Sequence, residues 1–121
     1  MTTAYSFKII GEHENVRVFY TCPAEAIKYD DTEGILTHYD TLLALQHPNP
    51  WIWIFSSEGF TLKHSLEVRT GIELTKLISE KYASSLQKLI VIHPTWYIRA
   101  MFKIIRPFMS EKLKNLIEIR V

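Results

Sequence analysis

One cysteine, four glycines and no apolar run of membrane length leave this chain few routes to some common functions. Cys22 stands alone, so no intrachain disulfide can form, and a reducing compartment is the better expectation. Gly11, Gly34, Gly59 and Gly71 are scattered singly, which excludes a dinucleotide fingerprint and a phosphate loop. The longest apolar stretches, such as Trp51–Phe55, fall far short of the ~20 residues a membrane span needs. Met1-Thr2-Thr3-Ala4-Tyr5 lacks the basic start and apolar stretch of a signal peptide. The expected location is cytoplasmic, with peripheral membrane attachment left open.

What is present is apolar bulk. At 121 residues and 47% hydrophobic content, the chain can bury one sizeable core, and residues 1–121 read as a single domain. The formal net charge of +1 implies no nucleic-acid partner. The charge is unevenly placed, however. Residues 1–87 carry seven Lys/Arg against eleven Asp/Glu, and residues 88–121 carry seven against two. A basic C-terminal third points toward an anionic surface or partner.

Period and punctuation give an element order. Tyr5–Ile10 and Val16–Tyr20 read as strands of an antiparallel hairpin around the polar loop Gly11–Asn15. Asp30, with Glu33 three residues on, starts a helix in which Ile35, Leu36, Tyr39, Leu42 and Leu43 share one face, ending near Gln46. Trp51–Phe55 is continuously apolar, as expected of a strand covered on both faces in mid-sheet. A helix over His64–Tyr82 follows, with Arg69, Glu73, Lys76 and Glu80 forming a charged stripe and Leu66, Leu74, Leu77 and Ile78 opposite. Leu89–Ile92 is a second buried strand. Pro107 should end the helix opened by His93-Pro94, Ser110 should cap a short helix to Asn115, and Leu116–Val121 should form a last strand. The fold class is therefore α/β, an open and mainly parallel sheet with an antiparallel hairpin strand and helical crossovers. In the last strand Ile117, Ile119 and Val121 alternate with Glu118 and Arg120, the pattern of an edge open to pairing.

Catalytic constellations are thin. None of the five histidines has a second His or a Cys at metal-ligand spacing, so neither a metal nor a cofactor is expected. Ser57, Glu58 and His93 fall at strand ends where they could converge, yet no nucleophile-elbow pattern surrounds Ser57. His93 reads as a turn residue with its ring bonded to backbone. Cys22, beside Glu25, lacks the positive surroundings of a reactive thiol. A non-catalytic protein is expected.

The most informative segment is Pro94–Pro107. At 100° per residue, Thr95, Arg99, Lys103 and Arg106 share an arc of roughly 80°. Trp96 and Phe102 fall at its borders, and Tyr97, Ile98, Ala100, Met101, Ile104 and Ile105 lie opposite. A cationic stripe flanked by aromatics suits an acidic protein groove or an anionic lipid surface. Trp96, Arg99, Phe102, Lys103 and Arg106 are thus the expected contact residues.

From Tyr82 to Trp96 the sequence resembles the CRAL-TRIO motif, in which a helix leads through a hydrophobic strand into a proline-containing turn. His93-Pro94-Thr95, the aromatic helix behind it, and Arg106-Pro107-Phe108-Met109-Ser110 with a following lysine are similar to BCH domains and to the CRAL-TRIO module fused to macro domains. Val16–Tyr20, Trp51–Phe55 and Gly59 stand where the family's earlier strands would. The resemblance implies an α/β sheet with a hydrophobic cavity, which holds a lipid tail in transfer proteins. In BCH members it implies a scaffold for small GTPases, their regulators or a second copy. Ser56 replaces an acidic residue often found at the end of the second core strand, and no phosphoinositide-headgroup residues match. The family's further C-terminal helices and N-terminal bundle are also absent from this sequence, which reads as a shortened form favouring interaction over transfer. The expectation is a CRAL-TRIO/BCH-type interaction module with some lipid or membrane-surface affinity. Soluble lipid binding or transfer, and a structural subunit of a larger, homo-oligomeric or mixed assembly, are the alternatives.

Overall fold

The computed structural model describes residues 3–121. Strands β1 (Lys8–His13) and β2 (Val16–Thr21) form the hairpin, closed by the pair His13↔Val16. Glu14 and Asn15 both hold left-handed backbone, with φ of 50° and 70°. Two such residues make a tight turn whose twist matches the flanking strands. The expected five-residue loop is therefore a two-residue one, and β1 runs three residues further than its composition indicated. Gly11 sits inside the strand, beside a register shift that leaves Ile10 unpaired.

Helix α1 (Thr32–Gln46) is capped not by Asp30 but by Asp31, whose side chain accepts from the Gly34 amide at 3.2 Å. The shift follows from tertiary structure, because the same carboxylate also accepts the Tyr5 hydroxyl at 2.6 Å. Strand β3 (Trp51–Ser56) comes next. The single helix expected over residues 64–82 is broken into α2 (Leu62–Ser65), α3 (Val68–Leu77) and a π-helical turn over Ile78–Tyr82. Thr61 and His64 explain the early start. The Thr61 amide donates to His64 Nδ1 at 3.0 Å, a capping box that nucleates α2 separately. Leu66, expected to be buried, lies at the break and is exposed. The stripe on α3 is not knitted internally either, since Arg69 crosses to Glu33 on α1 at 2.6 Å.

Strand β4 (Leu86–Ile92), helices α4 (Trp96–Ile105) and α5 (Glu111–Leu116), and strand β5 (Ile117–Ile119) complete the fold. Ser110 caps α5 through the Leu113 amide, as its position predicted. The sheet order is β1-β2-β3-β4-β5, with β1 antiparallel at one edge and β2 to β5 parallel.

This order has a consequence for layering. Each parallel strand is laid beside its predecessor in the same direction, so right-handed crossovers put every helix on one face. Burial follows that rule: Trp51, Trp53, Leu89 and Val91 are enclosed, while the intervening Ile52, Ile54, Ile90 and Ile92 lie outside the core. The expectation that β3 is covered on both faces is thus corrected. Its unbroken apolar run serves an enclosed face and a bare one. On the enclosed side, Phe7 stacks on Tyr39 at 3.9 Å and on Phe19 at 5.0 Å, and Trp51 stacks on Trp53 at 5.9 Å. Buried aromatics of this size dominate core energetics. Among the described residues, no helix is long and apolar enough to cross a membrane.

Candidate functional site

Helix α4 begins at Thr95, whose hydroxyl accepts from the Ile98 amide at 3.3 Å. Ile98, Met101 and Ile105 point into the core. These three set the buried direction, and they rotate the outward face relative to the sequence expectation. Trp96 stands in the open at 74% exposure, touching Tyr97 edge-on at 5.1 Å. Arg99, Lys103 and Arg106 are exposed beside it. Phe102 is different: it turns inward, packs on the core and faces Phe55 at 6.5 Å, so its place in the expected contact set is corrected. Ile104, assigned to the hidden side, is exposed instead. The reason is angular, since Ile104 falls about 60° from the nearer edge of the Ile98–Met101–Ile105 arc.

The charges on this face differ from those elsewhere. Of the fourteen Lys and Arg residues, six lie within 4 Å of a Glu or Asp carboxylate among the described residues: Arg17, Arg69, Lys81, Lys88, Lys114 and Arg120. Lys8, Lys28, Lys63 and Lys76 instead lie over aromatic rings. Arg99, Lys103, Arg106 and Lys112 do neither among the described residues. All four belong to the α4–α5 segment, and α4 itself contains no acidic residue. No described carboxylate neutralises this face.

Between the sheet and its helices lies a cavity of about 130 Å³. Trp53, Phe55, Phe60, Ile78, Met101 and Phe102 contribute to its largely apolar wall. Its polar fringe includes Thr21 and Tyr39, whose hydroxyls bond at 2.8 Å while Thr21 also accepts from Trp53 Nε1 at 2.9 Å. Burial pushes the Tyr39 hydroxyl well above the ordinary tyrosine range, so it stays protonated. Pockets for drug-sized ligands occupy roughly 300–1,000 Å³. The cavity is closer to an engineered apolar void of about 150 Å³ that holds benzene. A long acyl chain would have to displace the aromatics now filling this space. Sequence patterning did not reveal the cavity, because Phe60, Thr70 and Thr75 line it from loop and helix positions whose inward direction depends on the break after α2.

The polar residues weighed as a catalytic group are separated in role. Ser57 is fully buried, and its hydroxyl donates to the His93 backbone carbonyl at 2.6 Å. His93 holds left-handed backbone with φ of 50° and is exposed; the bond joining it to Ser57 uses its carbonyl, not its ring as expected. Glu58 is exposed. The Cys22 thiol is buried, and burial followed by Glu25 raises its pKa, which disfavours thiolate chemistry. His64, also buried, has its pKa lowered, first by desolvation and then by Lys63. At the sheet edge, Ile117 is half-buried, and Ile119 and Val121 are exposed.

These residues build a singly wound α/β sheet with its helices on one face and an apolar cavity beneath them. The chain belongs to the CRAL/TRIO domain family, whose profile matches residues 16–120. A stretch of 43 residues is 40% identical to Caytaxin of Macaca fascicularis, covering 36% of this chain and 12% of that protein. The crystal structure of Sfh5 superposes with a TM-score of 0.72 at 9% identity, covering 94% of this chain and 46% of the other. The latter likeness shows the fold alone. The chain spans less than half the length of either protein. Family membership points to lipid binding, lipid transfer or scaffolding in general, and proteins of this family are typically non-enzymatic.

Proposed function

We propose that this chain is a non-catalytic interaction module of the CRAL-TRIO/BCH type that docks onto an acidic protein surface through α4. One observation carries this reading. Arg99, Lys103 and Arg106 are exposed on one face with no counter-charge among the described residues, whereas every other Lys and Arg except Lys112 is paired or lies over an aromatic ring. Holding like charges together on a helix is unfavourable unless something outside relieves it. Trp96, exposed beside them, is the type of side chain that anchors interfaces. Small GTPases and their regulators are partners in keeping with the BCH-type resemblance.

The small cavity supports placing lipid transfer second, since its volume accommodates little of an acyl chain. The test is a triple substitution, Arg99→Ala, Lys103→Ala and Arg106→Ala, assayed against captured protein partners and against anionic vesicles. The reading expects partner binding to fall by at least tenfold and to weaken steeply with salt in the unsubstituted protein. Unchanged partner binding in the triple variant overturns it, and loss of vesicle binding alone replaces it with a membrane reading.

A further inference from the structure

The bare face of the sheet carries a row that is complementary to itself. The backbone register places Lys8, Tyr20, Ile54, Ile90 and Glu118 directly beside one another across all five strands. Their side chains share the helix-free face. Lys8 Nζ lies over the Tyr20 ring at 5.8 Å, and Glu118 lies 3.7 Å from Lys88, two residues from Ile90 on β4. The row thus begins with a cation, ends with a carboxylate and is uncharged between them.

Turning such a row about an axis parallel to the strands and passing over β3 exchanges its ends. Lys8 of one copy then meets Glu118 of the other, Tyr20 meets Ile90, and Ile54 meets itself. We propose that this face is a self-pairing surface on which a second copy of the chain docks with two-fold symmetry, forming an aligned sheet-on-sheet sandwich. The carboxylate has capacity for the contact: its Oε2 serves Arg120 at 3.0 Å and Lys88 at 3.7 Å, while Oε1 has no bond to a described residue. Lys8 has no carboxylate partner among the described residues. Val18, Ile52 and Ile92 supply the apolar surroundings above and below the row. Lys88 and Arg120 add positive charge, and Glu25 near Tyr20 offsets part of it.

Five strands spaced about 4.8 Å apart and roughly five residues long present roughly 400 Å² per copy. That is at the low end for specific association, so the dimer is reversible and concentration-dependent. The inference is independent of the α4 docking reading, which uses the opposite layer.

The experiment is sedimentation of the intact chain over a concentration series, with four variants. Ile54→Glu sets two carboxylates against each other on the axis and abolishes the dimer, while circular dichroism shows the fold retained. Lys8→Glu and Glu118→Lys each weaken dimerisation by roughly fivefold to tenfold, since two pairs are lost per dimer. The double reversal Lys8→Glu/Glu118→Lys restores it. A monomer at every concentration overturns the proposal, as does a dimer insensitive to Ile54→Glu or one that the double reversal fails to rescue. A monomer whose Ile54→Glu form loses vesicle binding assigns the face to lipid instead and equally overturns it.

Discussion

Helices α1 and α4 both cross over between neighbouring parallel strands, and both bury an apolar face against the same sheet, but their charges have opposite fates. On α1 each acidic group is consumed within the chain. Asp31 caps the helix and accepts from Tyr5, Glu33 pairs with Arg69, and Asp40 accepts from Lys81 at 2.9 Å and from the Tyr82 hydroxyl. On α4 the cations meet no carboxylate among the described residues. The difference teaches that α1 charges position the fold and α4 charges are free for recognition, so substitutions on the two helices should separate stability from binding.

The largest effect expected on the α1 side is that of Tyr39→Ala. This removes a ring stacked on Phe7 and a hydroxyl bonded to Thr21, and should cost about 3–5 kcal/mol in urea unfolding. A cost below 1 kcal/mol would mean that α1 does not anchor the aromatic core. Next comes Gly71→Val on α3. A Cβ there already meets Ile105 Cγ2 and Met101 Sδ at 3.2 Å, so added methyls wedge α3 from α4 and should cost about 1–3 kcal/mol. An unchanged urea midpoint would show that the two helices can part freely.

Asp40→Ala is expected to be smaller, about 1 kcal/mol, because the carboxylate is partly in solvent. Hydrogen bonds from Tyr82 and Lys81 hold the Asp40 pKa below the ordinary carboxylate range, and burial, followed by the contact with Asp40, pushes Tyr82 up to about 12. A lowered carboxylate pKa contributes stability above its unfolded value and loses it as pH falls through the folded one. Acid sensitivity below about pH 4 should therefore flatten when Asp40 is removed. Chemical unfolding at a series of pH values checks this.

His64 provides a second pH signature with a distinct window. Its folded pKa is lowered, so its neutral form stabilises the fold above the unfolded value of about 6.5, and this contribution is lost as pH falls toward the lower folded value. His64→Gln should remove the weakening just below about pH 6.5 and leave the carboxylate step in place. A step that survives the substitution would place its origin elsewhere. The smallest stability effect belongs to the α4 triple alanine variant, expected within about 0.5 kcal/mol of the parent. A larger loss would make those cations structural and erase the contrast with α1.

Much of the architecture was legible because it depends on local pattern. The continuous run Trp51–Phe55, the i, i+4 spacing of Ile35 and Tyr39, Ser110 ahead of α5 and Pro107 behind α4 each carry a signal within a few residues. The mistaken details depend on partners far away in sequence. Asp31 displaces Asp30 as cap because Tyr5 reaches it from 26 residues away. Phe102 and Ile104 exchange their expected exposures because the buried direction of α4 is set by where Ile98, Met101 and Ile105 meet the sheet. Of the five residues expected to form a contact surface, Trp96, Arg99, Lys103 and Arg106 are gathered on an exposed face, and Phe102 is drawn into the core.

By itself, the amino-acid sequence determined the order of strands and helices, the parallel sense of the sheet, the family and the basic character of the C-terminal third. The family is legible in the resemblance of the motif over Tyr82–Trp96, and the other properties follow from hydrophobic period, turn chemistry and charge count, which need no knowledge of distant contacts. Only the tertiary structure decided that all the helices lie on one face, that the cavity is small, and which cations remain unpaired. An apolar strand looks the same in sequence whether one face or two are covered, and a lysine shows its counter-charge only once the chain has brought Glu or Asp within reach.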